Sequence, residues 1–258
     1  MMFILHTSCI WATQEVFIIV HGTWGTREAW YKQGGDFFTA IERSIKGRGS
    51  VVSFCWSGKV DNQSRKQAGQ DLAVFITSYP ATTKITLFTH SHGGNVGIIA
   101  SQELPQYSDK HRIHHFYALA TPVNLKGYMP NMQIIDHFYN LFSLDDLVQP
   151  VFGIFSRAYP PHQRIANIRI VVNTKGPDHE ELHHPLVGGW LTHLHGLAQQ
   201  AGHQTVMGMP GLLHITNTET AYYAHDPEQE ELIKKNEKVV RYITAVFSRK
   251  RKSRSAMD

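Results

Sequence analysis

Thr86-Leu87-Phe88-Thr89-His90-Ser91-His92-Gly93-Gly94-Asn95 is the stretch around which this chain is organised. Ile85 to Phe88 is apolar and β-favouring, and Val96-Gly97-Ile98-Ile99-Ala100 beyond it reads as a helix. The turn between them must be tight, because short residues, Thr89 and Gly93, flank Ser91 two positions away on either side. Strand, sharp turn bearing Ser, then helix is the context in which a Gly-x-Ser-x-Gly-like match becomes a nucleophile elbow. Thr89 stands where glycine is usual, but it is still short. Such a turn lifts the Ser91 hydroxyl clear of the sheet and aims the His92 backbone N–H toward an oxyanion. The plain alternative is an ordinary Ser in a strand-to-helix turn, since a short motif alone is weak.

Working outward, Val16 to Val20 is long enough for a buried parallel strand and ends in His21-Gly22-Thr23-Trp24-Gly25. A loop after an early strand can supply a second oxyanion N–H, assigned here to Thr23. Arg27 to Ile45 has helical spacing broken at Gly34-Gly35. Val51 to Trp56 is a second strand, and Gln67 to Ser78 a helix stopped by Pro80. Past the elbow helix, Ile113 to Leu119 and Ile134 to Phe142 read as strands, the latter ending at Ser143-Leu144-Asp145-Asp146-Leu147-Val148. Pro150 to His162 is an apolar, Pro-containing loop or flap. Ile165 to Val172 is the last clear strand, running through Gly176-Pro177 to Asp178-His179, and Leu186 to Leu197 reads as a helix. Gln204 to Asp226 shows no usable periodicity.

Continuously apolar strands alternating with helices predict an α/β fold, a mostly parallel central sheet with helices on both faces. At 258 residues, 42% apolar and 18% charged, one such domain over residues 1–248 accommodates the chain. A basic tail, 249–258, follows. Its Arg249, Lys250, Arg251, Lys252 and Arg254, set against Asp258, carry the whole net charge of +4. The body is therefore neutral. The tail is expected to be solvated, with contact to an anionic membrane surface as the sharper option. Nucleic acid is not an expected partner, because no groove-reading or stacking element accompanies the charge. Glu228 to Phe247 has the apolar stripe of a terminal helix.

Only Cys9 and Cys55 are present, which excludes a disulfide framework and a Cys-based zinc site. With an N-terminus lacking a basic region and a cleavage site, a cytoplasmic location is expected.

Acyl transfer near neutral pH needs an activated nucleophile, a base, and a carboxylate that fixes the base's tautomer. Ser91, Asp145 or Asp146, and His179 each follow a strand, where open α/β sheets place their sites. Their chain order, Ser then Asp then His, is that of α/β-hydrolases. The sequence resembles an α/β-hydrolase of the lipase/esterase kind. Val20-His21-Gly22-Thr23 matches its oxyanion loop, Thr89 to Asn95 its elbow, and Ala120-Thr121-Pro122 the end of the next strand. Ser143 to Val148 matches its acid loop, and the His after the last strand its base. The resemblance spans about residues 16 to 200 and implies a Ser91–His179–Asp145 triad with an oxyanion hole of Thr23 and His92. The family's habit of placing the acid three before a Val picks Asp145, with Asp146 as the fallback. For the base, His183 is the fallback and His184 a further option. No cofactor is implied. Trp24, Phe152 and Phe155 are expected to line the site of an apolar or lipid ester.

His179-Glu180-Glu181-Leu182-His183 is also a literal His-Glu-x-x-His, the zinc-hydrolase pattern, which needs both His on one helix. Gly176-Pro177 before it and Pro185 after it oppose such a helix. Within one, the Pro185 ring would clash with the Glu181 carbonyl at about 3 kcal/mol. A third option keeps the fold as a non-catalytic lipid- or protein-binding module.

Overall fold

The computed structural model describes residues 14–148, 157–229 and 231. Within them the strands are β1 (Glu15–Val20), β2 (Gly49–Phe54), β3 (Lys84–His90), β4 (Ile113–Leu119), β5 (Ile135–Phe142), β6 (Ile165–Val172), β7 (Pro210–Ile215) and β8 (Ala221–His225). They form one sheet in the order β2-β1-β3-β4-β5-β6-β7-β8. Every pairing is parallel except the antiparallel β7–β8. The helices are α1 (Asp36–Ile45), α2 (Asn62–Thr77), α3 (His92–Tyr107), α4 (Pro185–Leu191) and α5 (Leu194–Gln200).

The strands are apolar on both sides because both faces are covered. Alternation sends Phe17 and Ile19 of β1, with Phe88 of β3, into one core cluster. That cluster includes Phe37 and Ile41 of α1, Val187 of α4 and Leu194 of α5. Val16, Ile18 and Val20, with Ile85 and Leu87, enter the opposite cluster beside Leu72 of α2 and Val96 of α3. Gly69 lets α2 and α3 close up, since a Cβ there would lie 2.4 Å from Ile99 Cγ2. Gly35 caps α1, so the helical spacing from Arg27 becomes continuous helix only at Asp36.

Two expectations are corrected. Ile165–Val172 is not the last strand, because residues 210–225 add β7 and β8. Pro210 fits as β7's first residue, where no ladder N–H is lost beforehand. Gly211 sits beneath the ring of Tyr223, where a Cβ would stand 2.1 Å from its Oη. A glycine at an inward position hides the two-residue alternation that Leu213 and Ile215 complete. The second correction splits the helix expected over Leu186 to Leu197 into α4 and α5, at Thr192-His193. Pro185 opens α4 at a position where a missing N–H costs nothing.

Phe152 and Phe155, most of the expected flap, the terminal helix beyond Glu231 and the basic tail lie outside the described residues. No described helix is long and apolar enough to cross a membrane.

Candidate active site

The end of β3 runs into α3 through a single strained residue. Ser91 has φ 53° and ψ −131°, a conformation side chains other than glycine rarely adopt. Its N–H donates to Leu119 O at 2.9 Å, which pins the turn to the end of β4. The tightness has two steric requirements. A Cβ on Gly93 would lie 2.4 Å from His21 O, and one on Gly94 only 1.9 Å from Thr121 Oγ1. The first turn of α3 thus sits directly against the ends of β1 and β4. Thr89 is accommodated because it is buried and its hydroxyl donates to Tyr117 O at 3.0 Å.

His179 arrives on the loop after β6 and meets the elbow. Its Nε2 lies 3.0 Å from Ser91 Oγ. Its Nδ1 lies 2.9 Å from Asp146 Oδ2. A carboxylate only accepts, so Nδ1 carries the proton and Nε2 presents its lone pair to the serine hydroxyl. Asp146 is fully buried. Its other oxygen accepts from Val148 N–H at 2.8 Å, and its backbone carbonyl accepts from the Arg157 guanidinium at 2.9 Å.

Asp145, the first choice from sequence, is corrected on this point. Its carboxylate accepts from Gly176 N–H at 3.0 Å and does not reach the imidazole. Chain direction decides between them: leaving β5, residue 145 turns outward to the 173–177 turn and residue 146 inward. Asp145 braces the loop that carries His179.

His183 is not beside Ser91. It stacks on Trp30 with centroids 4.1 Å apart and planes 10° apart, and its Nε2 lies 2.9 Å from Glu180 Oε2. His184 caps α4 by accepting from Leu186 N–H. The His179-to-His183 stretch is a turn with a short 3-10 segment, Glu181–His183, so the two imidazoles do not share a helix face. Both ring nitrogens of His179 are already engaged.

The oxyanion-loop candidates are neighbours. Thr23 Oγ1 lies 2.8 Å from His92 Nδ1. Burial, then the charges of Arg65 and His179, push the His92 imidazole down to about 4, so it is neutral at pH 7. Gly22 lets this loop approach the elbow, since a Cβ there would stand 2.9 Å from Ser91 Cβ. His21 anchors the loop from below. Trp56 N–H donates to its Nε2 at 3.2 Å, and its Nδ1 donates to Gly22 O at 2.7 Å. Trp24 adopts φ 62°, donates its N–H to Gly58 O and leaves its indole 76% exposed. It forms one wall of an open cleft of about 520 Å³, shared with Thr26, Arg27, Lys59, Val60 and Asp61. The cleft adjoins the loop after β1 but does not include the Ser91–His179 pair.

Two residues that sequence reasoning missed hold the arrangement. His90, fully enclosed, has Nε2 2.9 Å from His179 O, and the neutral ring donates there. Burial holds its imidazole well below the usual range, reinforced by His183 and His179. Arg157 ties the loop after β5 through Leu144 O and Asp146 O. Neither contact has a local signal, though the His immediately before the elbow serine was visible.

No protein-family model matches the chain. No curated protein matches it by sequence either. Among solved structures it is similar to the alpha/beta hydrolase domain-containing protein 10 from mouse, at 16% identity over 72% of this chain and 88% of that one, TM-score 0.41. It is also similar to a protein from Xanthomonas campestris pv. campestris described as a hydrolase of the alpha/beta superfamily, at 12% identity over 72% of this chain and 99% of that one, TM-score 0.43. A third is a cutinase-like protein from Cryptococcus sp., at 10% identity over 74% of this chain and 97% of that one, TM-score 0.38. At these identities and scores the likeness adds nothing to the site; the fold is read from this chain's own elements. A mostly parallel sheet covered on both faces, with Ser91 on a strained turn between β3 and α3 and with Asp146 and His179 on the loops after β5 and β6, gives this chain an α/β fold of the arrangement that its resemblance to α/β-hydrolases implies.

Proposed function

We propose that the protein is a serine hydrolase that cleaves carboxylic esters through an acyl-enzyme, with Ser91, His179 and Asp146 as the triad. The observation that carries this reading is the continuous chain of contacts, 3.0 Å from Ser91 Oγ to His179 Nε2 and 2.9 Å from His179 Nδ1 to Asp146 Oδ2, built on a strained serine. Ser91 Oγ attacks the ester carbonyl while its proton passes to His179 Nε2. Asp146 keeps the imidazole in the right tautomer and stabilises the cation that forms. The backbone N–H groups of Thr23 and His92 receive the oxyanion, at about 3 kcal/mol of transition-state stabilisation per donor. His179 then gives its proton to the departing alkoxide oxygen, and water repeats the cycle on the acyl-enzyme.

An apolar acyl group is the substrate class we favour. Trp24 follows Thr23 on one side, and Leu147, 74% exposed, follows Asp146 on the other. Large apolar side chains held in solvent beside a reactive centre suit an apolar ligand.

The test is labelling with a fluorophosphonate, followed by a panel of acyl esters of graded chain length. Wild type should be modified at Ser91, Ser91→Ala not at all, and His179→Ala only very slowly. A correctly folded wild type that resists the probe and every ester would instead favour the non-catalytic binding module.

A further inference from the structure

Beside the catalytic histidine lies a second group of side chains with no part in the hydrolytic steps. His90 ends β3, Glu180 directly follows His179, and His183 lies on the short 3-10 segment beyond it. Each offers one donor atom, and the three donors lie within 4.8 Å of one another. Trp30 fixes the plane of His183 by stacking flat on it at 4.1 Å. The His90 and His183 rings meet edge to face, centroids 4.6 Å apart. Glu180 keeps 66% of its side chain open to solvent, so an ion has a path in.

We propose that His90, Glu180 and His183 form a binding site for a divalent cation of the Zn²⁺ class, and that its occupation restrains the base at 179. Two imidazoles and one carboxylate form the donor set that zinc takes with water in a fourth position. Magnesium and calcium prefer oxygen-only cages, so they are poor occupants. The literal His-Glu-x-x-His of the sequence is thereby redistributed. His179 faces the serine, and His90, brought in from 89 residues upstream, takes its place as a donor.

Control of activity follows from connectivity, and this half of the proposal rests on the triad reading. Zinc bonds of about 2.0–2.2 Å draw the donors together. Glu180 and His183 sit on the turn that carries His179, and the His90 ring packs against the His179 ring with centroids 4.8 Å apart. Contracting the cluster shifts the main chain of the base and lengthens its reach to Ser91.

The experiment titrates the full-length protein with Zn²⁺ alone, in competition with a chromophoric chelator, for wild type, Ser91→Ala, His183→Ala and Glu180→Gln. Wild type and Ser91→Ala should bind one equivalent more than His183→Ala, with Glu180→Gln intermediate in affinity. Co²⁺ substitution should give visible absorption in wild type that His183→Ala lacks. In parallel, Zn²⁺ should depress ester hydrolysis by wild type, reversibly on adding EDTA, and leave His183→Ala unaffected. Equal binding by all four proteins would put any bound ions on other histidines and overturn the site. Site-specific binding without inhibition would overturn its control of the base. A wild type with no hydrolase activity would sink the triad reading but leave the binding titration intact, so the two failures are distinguishable.

Discussion

The carboxylate of Asp146 lies 2.9 Å from His179 Nδ1, while its neighbour Asp145 turns away and accepts from the Gly176 N–H. Two adjacent, identical side chains thus have different tasks. Asp146→Asn keeps the shape but can favour the wrong imidazole tautomer, a change that costs about 10⁴-fold in kcat where such a triad operates. Asp145→Asn should cost less than about tenfold, because it weakens only a loop hydrogen bond worth about 1 kcal/mol. Steady-state hydrolysis of one activated ester by both variants checks this. Equal losses would show that the acid role is not confined to residue 146.

Thr89 occupies the elbow position where glycine is usual, and its buried hydroxyl donates to Tyr117 O at 3.0 Å. Thr89→Val keeps the shape but leaves that carbonyl with one donor fewer. We expect a loss of about 1 kcal/mol in urea unfolding, with the rate of fluorophosphonate labelling little changed. Thr89→Gly should lose somewhat more through chain entropy. A large drop in labelling without a stability change would give Thr89 a direct part in the chemistry.

The fold and the site differ in how far they could be read from residues alone. The elbow was legible because strand, turn and helix are contiguous, from Ile85 to Ala100, and each has its own local pattern. The parallel sheet was legible because β1 and the middle of β3 are apolar on both sides, as doubly covered strands must be. β7 was not, because Pro210 and Gly211 open it and the inward glycine serves the ring of Tyr223, a contact made only after folding. The choice between Asp145 and Asp146 is likewise a matter of how the chain leaves β5. His90 and His179 are 89 residues apart, and no spacing rule connects them.

Gly94 tests the seat of α3. A Cβ at this position would overlap Thr121 Oγ1 at 1.9 Å, and Thr121 belongs to the segment leaving β4. Gly94→Ala must push the helix start away from the sheet, an overpacking cost of about 1–3 kcal/mol. The same displacement moves the His92 N–H, so labelling at Ser91 should slow along with the loss of stability. Gly189→Ala is the control, because nothing lies within 4 Å of a Cβ there. It should unfold at or slightly above the wild-type denaturant midpoint and label normally.

His115 on β4 faces His137 on β5 at 5.3 Å, and its Nδ1 contacts Tyr139 Oη, which also reaches His195 Nε2 on α5. Burial, then the nearby His137, His195 and His114, push the His115 imidazole down to about 4, against a weaker upward pull from Asp136. Between about 4 and the ordinary value of 6.5 the unfolded chain holds a proton on this residue that the folded chain excludes. The contribution is therefore fully present above pH 6.5 and is lost as pH falls through that window. One such group imposes a slope of up to about 1.4 kcal/mol per pH unit. His115→Asn, which cannot titrate there, should flatten the stability curve by up to that slope between pH 6.5 and 4, while changing it little in shape above pH 7. Urea unfolding of both proteins at closely spaced pH values reads the difference directly. Parallel curves would mean that the folded protein protonates His115 as readily as the unfolded chain does.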